Sequence, residues 1–182
     1  MLTVTSVATG TTDITIDYRI DNPRASDLYV FAVLFHTARN GTQSDDPALA
    51  YVGKTSAGQI VIGKFLVTVP QGHKAAVAES PYLVKLAPRQ SVSGQVVVPV
   101  PLTMRHPYLQ SPADAPVAGT VERLIVRVGF LDAATFPPNA AVVSPARGRA
   151  GLFKCDYGFG SELQAFFNVP VDLAPPGVPS RL

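Results

Sequence analysis

The side chains best equipped for chemistry in this 182-residue chain are few and scattered. Its three histidines, His36, His73 and His106, stand far apart, and none belongs to the H-x-H or H-E-x-x-H spacing that holds zinc on one element. A zinc site would need ring nitrogens from separate loops to converge on one ion. The plainer reading is one strand-end and two loop histidines. Asp45-Asp46, with Asp114 and Asp132 elsewhere, offers carboxylates for calcium but lacks the alternating Asp-x-Asp-x-Asp-Gly of a calcium loop, so Asp45-Asp46 reads as a solvated acidic stretch. No serine lies in a G-x-S-x-G elbow. Gly158-Phe159-Gly160-Ser161 has no following lysine and no strand-to-helix context for cradling phosphate, and reads as a tight turn. Cys155 sits between Lys154, which would lower its pKa, and Asp156, which would raise it. No histidine is adjacent to serve as base, so a half-buried structural thiol is expected. No catalytic residue, metal or cofactor is expected.

Binding chemistry has a better candidate. Tyr82 follows a proline in Ser80-Pro81-Tyr82, and Arg105, His106 and Tyr108 flank another in Arg105-His106-Pro107-Tyr108. Aromatic and arginine side chains held by proline lose little entropy on docking and suit a binding surface. The competing reading is that these tyrosines simply close an open end of the fold. Asn40-Gly41-Thr42 matches a glycosylation sequon, but Asn-Gly is also a turn signal, and turn chemistry is the reading taken.

The elements that must position these groups are strands. Asp13–Asp21 alternates, with Ile14, Ile16, Tyr18 and Ile20 inward and Asp13, Thr15, Asp17, Arg19 and Asp21 outward. Asn22-Pro23 ends it, because proline has no N–H to give the ladder. Leu28–Phe35 is the longest unbroken apolar run. Alternation places Leu28, Val30, Ala32 and Leu34 on one face and Tyr29, Phe31, Val33 and Phe35 on the other. A strand apolar on both faces is buried on both, so the second face is either covered by the chain or is an interface strand for another subunit. Gln59–Pro70 also carries apolar residues on both parities and reads as one long strand. Ser91–Pro101 alternates with Val92, Val96, Val98 and Val100 inward, and Pro99 and Pro101 place it at a sheet edge. Val121–Leu131 has Leu124, Val126, Val128 and Phe130 inward, with Arg123 and Arg127 outward. Ser161–Val171 reads as the last strand. His106–Gly119 and Ala133–Gly151 read as two long loops, and helix could hide only at Ala113–Gly119 or Ser161–Phe167.

This pattern predicts an all-β fold, an antiparallel β-sandwich, with a closed β-barrel as the alternative. Residues 1–174 would form one domain and 175–182 a proline-rich tail. The run Ile16-Asp17-Tyr18-Arg19-Ile20-Asp21-Asn22-Pro23 before an apolar strand resembles Ig-like and fibronectin-like domains, where an Asn-Pro corner separates two core strands. Leu86-Ala87-Pro88-Arg89-Gln90-Ser91 resembles the same kind of corner. The resemblance covers two strand pairs and implies a sandwich of that kind, not a function.

Charged residues make up only 15% against a usual ~25%, which leaves much neutral surface and favours a protein interface. Fifteen basic residues at a net charge of +2 form no stripe for nucleic acid. No run approaches the ~20 apolar residues of a membrane helix. The lone cysteine and the lack of an opening signal peptide lean toward the cytoplasm; a chain trimmed of its leader would fit the periplasm or secretion equally. The expected function is therefore a non-catalytic sandwich acting through protein–protein contact, as part of a homo-oligomer or larger assembly, with no small-molecule ligand. The alternative is a carbohydrate-binding or hydrolase site built by loops around His106, Tyr108 and Asp114.

Overall fold

At the Asn22-Pro23 corner the chain leaves one sheet and enters another. In the computed structural model, which describes residues 1–37, 42–70, 72, 78–108, 117 and 121–173, strand β1 (Leu2–Thr9) pairs with β2 (Asp13–Asp21). Beyond the corner, β3 (Leu28–Thr37) belongs to the opposite sheet. Asn22 is 1% exposed and fully engaged. Its amide donates to the carbonyls of Ser26 and Leu86, both at 2.9 Å, and its Oδ1 accepts from the Arg24 N–H at 3.0 Å. Its own N–H donates to the Gln90 carbonyl, and its carbonyl accepts from the Arg89 N–H. One buried side chain thus ties this crossing to the turn between two later strands, where the ladder bonds of both sheets stop.

Those later strands are β7 (Tyr82–Leu86) and β8 (Ser91–Pro99). The small sheet has the order β1-β2-β8, with β8 at its edge, where its prolines placed it. The large sheet also contains β4 (Gln43–Asp46), β5 (Tyr51–Lys54), β6 (Ile60–Lys64), β9 (Arg123–Asp132), β10 (Val143–Pro145), β11 (Leu152–Cys155) and β12 (Ala165–Asp172). Its path runs β10-β11-β7-β3-β9-β6-β5, with β12 on β9 and β4 on β3. The long strand β9 organises it. Along one edge β12 pairs from Ala165↔Phe130 to Asp172↔Arg123, while β6 pairs at 124–128 and β3 at 130–132. The fold is an all-β sandwich, and among the described residues the sheets do not close into a barrel.

The main core lies between the sheets. Ile14, Ile16, Tyr18, Ile20, Val96 and Val98 meet Leu28, Val30, Ile60, Ile62, Leu124, Val126, Val128 and Phe130, as the alternation predicted. Several expectations are corrected. The β6–β9 pair is parallel, against an otherwise antiparallel arrangement. The apolar run Gln59–Pro70 forms a strand only over Ile60–Lys64. Beyond it Leu66 takes its bonds from a side chain, with the Gln164 amide accepting from the Leu66 N–H at 2.7 Å and donating to its carbonyl at 3.0 Å. Asp45-Asp46, read as a solvated acidic stretch, lies in β4, paired with β3. The second long loop contains β10 and a 3-10 turn over Ala133–Thr135, capped by the Asp132 carboxylate. Helix α1 (Tyr157–Leu163) replaces the expected turn at Gly158–Ser161 and the start of the last strand. Asp156 caps it, accepting from the Phe159 N–H, and Gly160 lets it settle close: a Cβ there would lie 2.9 Å from the Cys155 sulfur and 3.0 Å from Leu66. The candidate helix at Ala113–Gly119 (Val117 apart), the Asn40-Gly41 turn and the tail 175–182 lie outside the described residues.

The second face of β3 is covered by the chain itself. A β-bulge between Phe31 and Val33 shifts the register, so strict alternation does not hold through the run. Tyr29 and Phe31 pack with Leu66, Leu83, Leu131 and Val142 beneath Tyr157, Phe159 and Leu163 of α1. Val33 and Phe35 pack instead with Tyr82 and Ala146, and Leu34 with Leu49 and Tyr51. The four residues read as one interface face are thus split between two clusters, and Phe31 is wholly buried within one chain. Phe31→Ala should cost about 3–5 kcal/mol, a large share of the ~5–15 kcal/mol that holds a domain together. Phe31→Asp should abolish the native circular dichroism spectrum; a folded protein of altered mass would contradict this assignment.

Candidate functional site

The segment ending in Arg105, His106 and Tyr108 lies along β5. The Arg105 N–H donates to the Val52 carbonyl at 2.9 Å, and the Val52 N–H donates back to the Arg105 carbonyl at 3.1 Å. This seats the half-buried Arg105 and Tyr108 by Glu79, a residue with no distinguishing feature in the sequence, and His106 by Tyr108. The Tyr51 hydroxyl donates to the Glu79 carboxylate at 2.5 Å, and the Tyr108 hydroxyl accepts from the Glu79 N–H at 2.7 Å. The Tyr108 N–H donates to His106 Nδ1 at 3.1 Å, with the two rings edge to face at 6.0 Å. Tyr157 closes the group: its hydroxyl accepts from the Val69 N–H at 2.7 Å and lies beside that of Tyr108.

Burial pushes the Glu79 carboxyl above its ordinary range, against the opposing pull of the Tyr51 hydroxyl and the Arg105 charge. Burial likewise raises the Tyr51 and Tyr108 phenols, and for Tyr51 the Glu79 charge adds to it. The hydroxyls are engaged in holding loop backbone and one carboxylate, which is the work of a structural network rather than of a poised nucleophile and base.

Beside this network the outer face of the large sheet carries a row of aromatic rings and an arginine. Tyr51 meets Phe65 edge to face at 5.7 Å, and Phe65 meets Phe166 at 6.0 Å. The Arg127 guanidinium lies 4.9 Å from the Phe166 ring centroid and 6.0 Å from that of Phe65, and its Nε donates to Asn168 at 2.7 Å. Phe166 is 41% exposed. Alternation explains the row: Arg127 and Phe166 stand on the parity opposite the core residues of β9 and β12.

Of the four residues read as one binding surface, Arg105, His106 and Tyr108 stay together and Tyr82 does not join them. Tyr82 lies opposite Val33 in an interior strand and is buried, edge-on to Phe35 at 6.2 Å, with Arg149 and Lys154 about its ring at 5.0 and 5.1 Å. An exposed role is corrected for it, because the segment carrying Ala146 and Leu152 covers that part of β7. Glu79, Phe65, Arg127 and Phe166 were not singled out from the sequence. An outward phenylalanine paired across from an outward arginine was the available signal, but it needed the β9–β12 register. His36 bonds Asp46 at 2.9 Å, while Asp45 is held by Arg149 at 2.5 and 3.0 Å. Asp132 is taken up by Arg24, Ser26 and the Ala134 N–H. Among the described residues no three histidine, cysteine or acidic side chains gather as metal ligands; His73 and Asp114 lie outside them. Cys155 is buried, 3.3 Å from the Ser80 hydroxyl, and burial raises its thiol. No helix of the described residues is long and apolar enough to cross a membrane.

Fold and site together define an all-β sandwich with an aromatic and arginine surface beside a tyrosine-bound carboxylate. No family model, curated protein or solved structure matches the chain.

The native state binds the Glu79 proton more tightly than the unfolded chain does. Its stabilising contribution is therefore full below the ordinary value of 4.5 and is lost as pH rises through the raised native value. The stability of wild type minus that of Glu79→Gln, from urea unfolding, should fall as pH rises above 4.5. Tyr51→Phe should cost about 1–2 kcal/mol, by leaving a half-buried carboxylate oxygen without its donor.

Proposed function

We propose that this protein is a non-catalytic sandwich, of the Ig-like kind expected from its Asn-Pro corner, that works by binding another protein, as a subunit of a homo-oligomer or of a larger assembly. The observation that carries the reading is the exposed Phe166 set edge to face with Phe65 and beside the Arg127 guanidinium on the outer face of the large sheet. Aromatic and arginine side chains dominate the energetic centres of protein interfaces, and a ring already fixed by its neighbours loses little freedom on docking. The neighbouring backbone adds to this. Strand β12 pairs with β9 alone, so among the described residues its far edge has no strand partner. A strand edge without a ladder partner beside an exposed aromatic suits pairing between two copies, strand to strand. The low charge supports the same reading, since 15% charged residues leave this surface poorly suited to permanent exposure. The alternative of a loop-built catalytic or sugar site draws less support, because the Tyr51 and Tyr108 hydroxyls are engaged at Glu79.

Light scattering after size exclusion should give a multiple of the 19.2 kDa chain mass. Phe166→Asp and Arg127→Glu should each lower that mass while keeping the circular dichroism spectrum. A wild-type monomer up to about 1 mM, where even a ~4 kcal/mol association would show, rules out self-association. If Phe166→Asp also left every partner co-purifying at native levels in place, the surface assignment would fail with it.

A further inference from the structure

Lys64 points from β6 into the space between the sheets. It is the one cation among the fully buried described side chains, at 1% exposure. Its ammonium donates to the Pro47 carbonyl and, at 2.8 Å, to the Gln95 carbonyl of β8, which ties the two sheets together. A third N–H has no acceptor among the described residues, and no described carboxylate forms an ion pair with it. Asp46 acts on it only at longer range. A buried charge without a counter-ion is costly, and burial lowers the Lys64 amine to about 8.

Beside it a phenol lines the same space. Tyr18 is 3% exposed as a residue, its ring centroid 5.7 Å from the Lys64 nitrogen. The phenol end lies over Gly94, its cross-strand neighbour: a Cβ at Gly94 would stand 2.5 Å from both the phenol carbon and the oxygen. Glycine at this position therefore makes room for the hydroxyl. Tyr18, Lys64 and Gly94 all line a cleft of about 300 Å³ whose remaining walls are largely apolar, among them Val30, Val84 and Val92. That volume is at the small end of ligand clefts.

We propose that this cleft binds a small organic carboxylate with an apolar body, on the order of ten non-hydrogen atoms, whose carboxylate accepts from the Lys64 ammonium and the Tyr18 hydroxyl. The ligand supplies the counter-charge that Lys64 lacks and an acceptor for the cleft-lining Tyr18 hydroxyl, while its hydrocarbon part rests on the valines. The site is separate from the outer-face surface and does not depend on that surface's role.

Octanoate is a suitable probe, with octan-1-ol as its uncharged counterpart. Calorimetry on the full chain should show one saturable octanoate site, with octanol at least about tenfold weaker. Amide chemical shifts should move at Val30, Val92 and Gly94. Tyr18→Phe keeps the ring and should weaken octanoate by about tenfold with little effect on octanol. Lys64→Met should remove the preference for octanoate over octanol; should that variant not fold, the Tyr18→Phe comparison decides alone. Equal binding of acid and alcohol, an unchanged affinity in Tyr18→Phe, shifts elsewhere on the molecule, or association only above the concentration at which octanoate self-associates would each overturn the proposal.

Discussion

Strand β3 is apolar on both faces, and a strand of that kind is stable only with cover on both sides. Much of the architecture follows from supplying that cover within one chain. The small sheet provides the first side through Ile14, Ile16, Tyr18 and Ile20. The second side is built from α1 and the segment after β9, so residues that would otherwise wander as loop become a third layer over Phe31. The bulge after Phe31 then redistributes the end of the strand, sending Val33 and Phe35 toward Tyr82 and Leu34 toward Tyr51. What stays uncovered on the outer face is the strip where β12 and β9 meet, and it is there that Phe166 and Arg127 remain exposed or half-exposed.

Crossing between sheets leaves main-chain groups without ladder partners, and three amide or amine side chains, Asn22 and Lys64 buried and Gln164 half-buried, satisfy them. Asn22 does so at the β2–β3 crossing, Gln164 beyond the end of β6, and Lys64 between β6 and β8. Asparagine and glutamine do this as neutral groups that can both donate and accept. Lysine can only donate and carries a charge, so the same structural service leaves an electrostatic requirement unmet. The polarity of the inter-sheet cleft arises from that difference, whereas the outer surface owes its character to aromatic rings.

Legibility in the sequence followed how local each determinant was. The alternation in Asp13–Asp21 and Val121–Leu131 was read correctly because one face of each strand meets the core along its length. The prolines of Ser91–Pro101 identified an edge because a missing N–H is a property of the residue itself. Gly158–Ser161 misled: two glycines argue for a turn, yet tertiary packing of Gly160 against Cys155 and Leu66 outweighs their low helix propensity. Arg105, His106 and Tyr108 were found together because they are neighbours in the chain. Glu79 and Tyr51 were not, because they reach the cluster only through folding. Tyr82 was misplaced because its exposure depends on a segment some sixty residues later in the sequence.

The sequence alone determined the all-β class, the core parity of the regular strands, the edge position of β8 and the corner at Asn22-Pro23. Each rests on a property of single residues or of period-2 spacing, which acts over a few positions. Tertiary structure decided that β3 and β2 lie in different sheets, that β6 runs parallel to β9, and that the chain itself covers Phe31. It also decided that Lys64 and Tyr18 face one cleft. These depend on register and on which distant segments meet, and a residue's type does not specify its partners across the fold. For Leu28–Phe35, composition demanded burial on both faces, while only the folded chain could show what lies on the second.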